Sequence, residues 1–384
     1  MTRTRRAWGP LLAGASITMV GAGGASAAVL GLQDDRLASA PEASFNERLD
    51  LLQGTGARVT RVDVLWSEIA PAKPANETDP FDPAYQFGRL DQILAGMTAR
   101  GIIPILSIYS APTWATGGKG ALPRRQYNAW MPNPGQYGRF VGAVAKRYSG
   151  FVNSFYAVQP QARHIEVWNE GNITRYFTPQ FDARGRSVAP RNYMRLVGAA
   201  DKYAKAANPR IVIIAGAGGP KSTTKRRGAG DTPGHGTLDW IRGMRANKSL
   251  GRFDAYSQHI YPAQPPKSPR VVVPNWASIP LMLSEFRRIR PGLKLYITEA
   301  GYTTKKTPIR TTAVPVALQA RYMRDIMSLR TVRNPAIAAI IWFNMQDNSL
   351  WPGGLYREDL SAKPSLAVFR SLAGRGAIPA QLRP

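Results

Sequence analysis

The chain has 384 residues, 44% of them hydrophobic, a length that suits one large α/β barrel better than two unrelated domains. It contains no cysteine, which excludes disulfides, thiolate metal sites and a cysteine nucleophile. A formal charge of +27 makes the surface strongly basic and raises the question of an anionic partner.

The first 27 residues read as an export signal. Arg3, Arg5 and Arg6 precede a small-residue apolar stretch from Trp8 to Val20, and Ala25-Ser26-Ala27 forms a cleavage site. The apolar run is short and broken by glycine, whereas a spanning helix needs about 20 residues, so no membrane span is expected once the signal is removed. The Arg5-Arg6 pair fits either general secretion or the twin-arginine route. Cleavage would leave 48 basic and 24 acidic residues in a single domain, residues 28–384, that is secreted and extracellular or associated with the cell wall.

From residue 28 onward, apolar strands alternate with amphipathic helical stretches, as in repeated βα units. The strands are expected at Val29–Gln33, Val59–Val64, Ile102–Tyr109, Ile165–Asn169, Ile211–Ala215, Ala255–Ile260, Leu295–Thr298 and Ile337–Phe343. Eight such strands predict a single (β/α)8 TIM barrel. Between them, Leu90, Ile93, Leu94 and Met97, or Tyr193, Leu196, Val197 and Ala200, carry the i, i+3, i+4, i+7 spacing of a helix face buried on the sheet. Gly101 and Gly150 are placed to end helices. The 129 residues from Glu170 to Glu299 cover three units at about 43 each, against roughly 31 in a minimal barrel of about 250 residues. The excess is assigned to the strand-following segments 110–135, 173–190, 216–236 and 262–275, on the face where barrel enzymes carry their chemistry.

Two of these strands run directly into a carboxylate. His164-Ile165-Glu166-Val167-Trp168-Asn169 leads to Glu170, and Leu295-Tyr296-Ile297-Thr298 leads to Glu299. Two glutamates at the carboxyl ends of different strands can face each other across a sugar ring. A retaining glycosidase needs this pair about 5 Å apart, one to protonate the leaving oxygen and one to attack the anomeric carbon. Trp168 and Asn169 suggest the acid role for Glu170: an aromatic wall keeps a carboxyl protonated, and an amide can bond a sugar hydroxyl. Glu299 stays ionised if a cation and a phenol donate to it, for which Arg61 and Tyr261 are the candidates.

On these residues the chain resembles the clan A glycoside hydrolases, which include the cellulase-like and β-xylosidase-like families. The clan's acid/base glutamate follows an asparagine at the fourth strand, matching Trp168-Asn169-Glu170, and its nucleophile ends the seventh, matching Thr298-Glu299. Its second-strand arginine matches Arg61, its sixth-strand His-x-Tyr matches His259-Ile260-Tyr261, and its eighth-strand tryptophan matches Trp342. The resemblance implies a β-linked O-glycoside as substrate, no cofactor, and water or a second sugar as the acceptor of a covalent intermediate. One departure is Gly171, where many members have proline, and a looser loop is expected there.

Each site residue also has a plainer reading. Arg61 has Glu166 and Asp63 as structural partners, His259 reads also as a satisfied core histidine although its strand-end position beside Tyr261 and Pro262 favours lining the site, and Trp342 as filler of the barrel top. Against its plainer reading, the flat indole of Trp342 is taken as a platform on which a sugar ring stacks, and Tyr109, Trp114, Trp130, Tyr302 and Trp351 as further sugar-subsite aromatics, with about half of them expected to be ordinary packing. Glu68 is a weaker carboxylate candidate, and Asp34-Asp35 lacks the ligand spacing of a calcium site. His164, His235 and His259 are far apart in sequence without His-Glu-x-x-His spacing, so no catalytic metal is expected.

Strand-following loops carry Arg124-Arg125, Arg175, Lys221, Lys225-Arg226-Arg227 and Lys305-Lys306. This admits an anionic glycan as substrate, although helices bearing Arg287, Arg288, Arg290, Arg321 and Arg324 are basic as well. Without a recognition module, nucleic acid is not an expected partner. A barrel at the cell surface that binds glycan without turning it over is the alternative to an enzyme.

Overall fold

The computed structural model describes residues 28–123, 126–149, 156–227 and 232–374, together with residues 378 and 382. The export signal, Arg124-Arg125 and Gly150 lie outside the described residues. Eight parallel strands form one sheet in the order β1-β8-β7-β6-β5-β4-β3-β2. They are β1 Val29–Gln33, β2 Val59–Leu65, β3 Ile103–Tyr109, β4 His164–Val167, β5 Val212–Gly218, β6 Ala255–Ile260, β7 Lys294–Ala300 and β8 Ile337–Phe343. A helix follows each of them, from Phe45–Gly54 after β1 to Pro364–Ala373 after β8. The molecule is a (β/α)8 barrel, as the alternation predicts.

The strands form where continuous Val, Ile, Leu and Ala runs can be buried on both faces, which parallel strands require. Ile103, Ile105, Ile214 and Ile341 fill the barrel interior, while Leu106, Ile108, Ile213 and Ile340 pack outward under the helices. β1 and β2 meet without a hydrogen-bonded ladder. Gly31 permits their close approach, since a β-carbon there would stand 2.4 Å from the Val59 carbonyl oxygen.

The two expected helix faces are the buried ones, Leu90 to Met97 in Gly88–Ala99 and Tyr193 to Ala200 in Ala189–Ala207. Gly101 ends the first in a left-handed turn (φ 67°): its N–H donates to the Thr98 carbonyl and that of Ile102 to the Met97 carbonyl. Asn133 starts the helix Pro134–Tyr148 by accepting from the Gln136 N–H at 3.1 Å. Among the described residues, no helix is long and apolar enough to cross a membrane.

Candidate active site

Glu299 lies within β7, where it is in register with His259 of β6. Glu170 is reached differently. β4 ends at Val167, and the chain then takes positive φ at Trp168 (68°) and Glu170 (41°), which swings the carboxyl over the barrel mouth. Such conformations cost on the order of 1 kcal/mol or more each and persist only where surrounding bonds fix them. The Trp168 N–H donates to the Ile108 carbonyl at 3.0 Å and its indole to the Tyr176 carbonyl at 2.6 Å. The Ile173 N–H closes the turn onto the Glu170 carbonyl at 3.0 Å.

A carboxylate oxygen of Glu170 and one of Glu299 lie within 4.8 Å of each other, with a His259 nitrogen inside the same distance. Arg61 Nη1 donates to Glu299 Oε1 at 2.9 Å, and the Tyr261 hydroxyl donates to Oε2 at 2.6 Å. His259 Nδ1 stands 3.0 Å from Glu170 Oε1 and 3.4 Å from Glu299 Oε2.

Arg61 serves both of its readings at once. Besides Glu299, its guanidinium donates to Glu166 (2.7 Å), Asp63 (2.8 Å), Gln33 (3.2 Å), Ser107 (2.7 Å) and Asn169 (2.8 Å). Burial opposes its charge, but Glu166, Asp63 and Glu299 more than compensate and hold it firmly cationic. Glu166 is likewise buried, and the Arg61 charge brings its carboxyl below the ordinary range.

Glu299 stands under opposing electrostatic influences. Burial raises the Glu299 carboxyl above its ordinary value and the Glu170 charge adds to this, while His259, Arg61 and the Tyr261 hydroxyl pull it back. Burial opposes a charge on His259, yet Glu299 and Glu170 raise its imidazole above the usual value. Burial, followed by the Glu299 charge, keeps the Tyr261 phenol protonated and able to donate.

Glu170, His259 and Glu299 also have the spacing of a metal-ligating trio. Both Glu299 oxygens already accept hydrogen bonds, and a metal ion would stand against the Arg61 cation. This donor set suits proton transfer better than metal binding.

Above the carboxylates opens a cleft of ≈ 550 Å³. Asn169, Tyr261, Tyr109 and Trp351 line it, as expected of site residues, and Asp35, Arg175 and Lys221 join them. Arg61 and His259 sit behind the carboxylates, 1% and 0% exposed, and act on them rather than lining the cleft. Three aromatic assignments need correction. Trp342 packs in the layer between barrel and helices, its indole donating to the Gly353 carbonyl at 2.9 Å. Strand side chains alternate, so the next residue, Phe343, faces the cleft instead. Trp114 is turned edge-on to Trp66 with ring centroids 5.3 Å apart, and its indole donates to the Ala70 carbonyl, away from the cleft lining. The Trp168 indole points into the core against Tyr137, so the aromatic ring beside Glu170 in the cleft wall is Tyr176.

Trp130 and Tyr302 also lie outside the lining, under Lys119 and hydrogen-bonded to Trp276 respectively. Glu68 is exposed at the side, and Asp34 is ion-paired with Arg48. Gly171 does not loosen its loop. It is buried where a β-carbon would come within 3.1 Å of both the Trp240 and Tyr193 rings, so the small residue lets the turn pack tightly. Tyr127, Tyr176, Phe343 and Arg310 line the cleft without having been singled out in the sequence. All but Phe343 lie on long loops, and for Phe343 the strand alternation was the available signal.

No protein-family model matches the sequence, and no curated protein matches it. Solved structures do share its fold. A family 39 glycoside hydrolase from Bacteroides cellulosilyticus superposes with a TM-score of 0.60 at 19% identity over 91% of this chain. This chain spans 64% of that protein's length. A monomeric β-xylosidase from Caulobacter crescentus gives 0.61 at 18% identity, covering 92% of this chain and 70% of its own. Xylanase 10B from Thermotoga maritima gives 0.56 at 14% identity, covering 90% and 94%. At these identities the likeness is one of fold, and the chemistry rests on the site.

Proposed function

We propose that the protein is a retaining β-glycoside hydrolase acting on a polysaccharide or oligosaccharide, with Glu299 as nucleophile and Glu170 as acid and base. The observation that carries this reading is the carboxylate approach within 4.8 Å, which fits the roughly 5–5.5 Å of retaining enzymes rather than the 6.5–9.5 Å that leaves room for water in inverting ones. That the solved structures sharing this fold include a β-xylosidase and a xylanase supports the same reading.

In the first step the Glu299 carboxylate forms a bond to the anomeric carbon as the glycosidic C–O bond breaks, and Glu170 gives its proton to the departing oxygen. In the second, water attacks the same carbon, Glu170 takes the water's proton, and Glu299 leaves as a carboxylate. Arg61 and Tyr261 hold Glu299 in line and stabilise it as leaving group. Asn169, fixed by Arg61 and facing the cleft, is placed to bond a sugar hydroxyl. Phe343 and Trp351 supply the apolar face on which a ring can stack.

Residues 28–384 form the catalytic domain in this reading, and export through residues 1–27 delivers it to glycans outside the cell or in the cell wall. The test is release of reducing ends from plant and bacterial cell-wall glycans, with the anomer of the first product followed by NMR. Release with retained configuration is expected. Inversion would remove the double displacement, and binding without release would make the protein a non-catalytic glycan-binding barrel.

A further inference from the structure

Arg175, Lys221 and Arg310 line the cleft, and among the described residues no carboxylate meets Arg310. Arg310, on the loop between β7 and the helix Val316–Ser328, lines the cleft and lies over the rings of Tyr261 and Trp351, 5.4 and 5.1 Å from their centroids. Its guanidinium makes a single hydrogen bond, from Nη2 to the Tyr261 carbonyl at 3.3 Å. Its Nε is buried and has no partner among the described residues. A guanidinium carries five N–H donors in a planar fork, and a buried one left unsatisfied loses the hydrogen bond it had to water. Burial already lowers the affinity of this group for its proton. By contrast, Arg61, Arg48 and Arg147 in the same barrel each meet a carboxylate at 2.8 Å or less.

The position explains what such a fork would serve. Tyr261, beneath it, donates directly to Glu299, so an anion held by Arg310 is an anion on the sugar at or next to the reacting ring. Arg175 and Lys221 line the same cleft, while Asp35 and Asp63 also line it as sites for hydroxyl groups. We propose that Arg310 receives the carboxylate of a uronate residue, making the substrate an acidic glycan. This rests on the reading of the cleft as a sugar-binding site. The planar carboxylate suits the fork, whereas stacking on Tyr261 and Trp351 uses only the guanidinium face and leaves its edge open.

The experiment compares matched aryl glycosides that differ only in the carboxylate, glucuronide with glucoside and galacturonide with galactoside. Binding to the full chain carrying Glu170→Gln is measured by calorimetry, and kcat/KM with Glu170 intact. The carboxylate form of at least one pair is expected to bind tenfold or more tightly. Arg310→Gln should lower that preference at least tenfold, Arg310→Lys should restore part of it, and Lys305→Gln, exposed on the same loop, should leave it in place. A preference that survives Arg310→Gln, that falls equally with Lys305→Gln, or that is absent in both pairs overturns the proposal. Arg310-dependent binding without turnover would defeat the hydrolase reading and leave this one standing; turnover of neutral glycosides with no carboxylate preference would do the reverse.

Discussion

The carboxyl ends of β7 and β4 each deliver one glutamate to the same cleft, by different physical means. At β7 the carboxylate is held by charge and hydrogen bonds: it sits inside a ladder, in register with His259, and accepts from Arg61 and Tyr261. At β4 the glutamate has left the ladder and is held by the backbone beneath it. Positive φ at Trp168 and Glu170 is maintained by the buried Trp168 indole, by Gly171 under Trp240 and Tyr193, and by Asn172. The Asn172 side chain bridges Gly219 and His235, accepting from the first at 2.6 Å and donating to the second at 3.0 Å. Glu299 is thus fixed by charge and hydrogen bonds, and Glu170 by the shape of the backbone that carries it.

Removing the proposed nucleophile tests the β7 side most directly. Glu299→Gln should lower glycan hydrolysis by roughly 10⁴-fold or more and keep a cooperative melt. Reducing-end release and calorimetry check both, and residual activity near wild type would end the assignment. Next in size, Arg61→Met leaves Glu166, Asp63 and Glu299 without their cation. It should cost about 3–5 kcal/mol in urea unfolding, and a loss below 1 kcal/mol would show that the network matters little to stability.

On the β4 side, Gly171→Ala should cost about 1–3 kcal/mol by overpacking and lower kcat by displacing Glu170. Unchanged stability together with unchanged kcat would show that this turn is not held by packing. The smallest effect is pH-dependent. The His235 imidazole meets the Gln180 side-chain oxygen at 2.8 Å, the Gln180 amide donates to the Gly171 carbonyl of this turn, and burial pushes the imidazole down to about 4, whereas an unfolded histidine titrates near 6.5. Between those values the unfolded chain binds more protons, so the stability contributed by His235 is present above pH 6.5 and lost as pH falls toward 4. Amide exchange at residues 169–173 should therefore rise in that window before exchange in β7 does, and simultaneous onset would contradict it.

Much of this asymmetry could be read in the chain. Parallel strands buried on both faces leave continuous apolar runs, so the strands from Val29 to Phe343 were legible, as were the glutamates that follow two of them. Arg61 and Tyr261 were identifiable because an ionised carboxylate needs such donors. Trp342 was misplaced because period-two alternation decides between it and Phe343, and a run apolar on both faces conceals the phase. Trp114, Tyr127, Tyr176 and Arg310 lie on loops whose paths depend on distant contacts such as the donation from the Trp114 indole to the Ala70 carbonyl. Nothing in local spacing records those paths.

The Arg61 network reaches Gln33 of β1, Asp63 of β2, Ser107 of β3, Glu166 of β4 and Glu299 of β7. Neither half of the barrel can complete it alone, because the first four strands lack Glu299 and the last four lack the guanidinium. In the proposed hydrolase reading, recovery of glycoside turnover should therefore report the final closure of the ring during refolding, lagging behind helix formation and apolar collapse, so that this cluster serves as a clock for the last step of assembly.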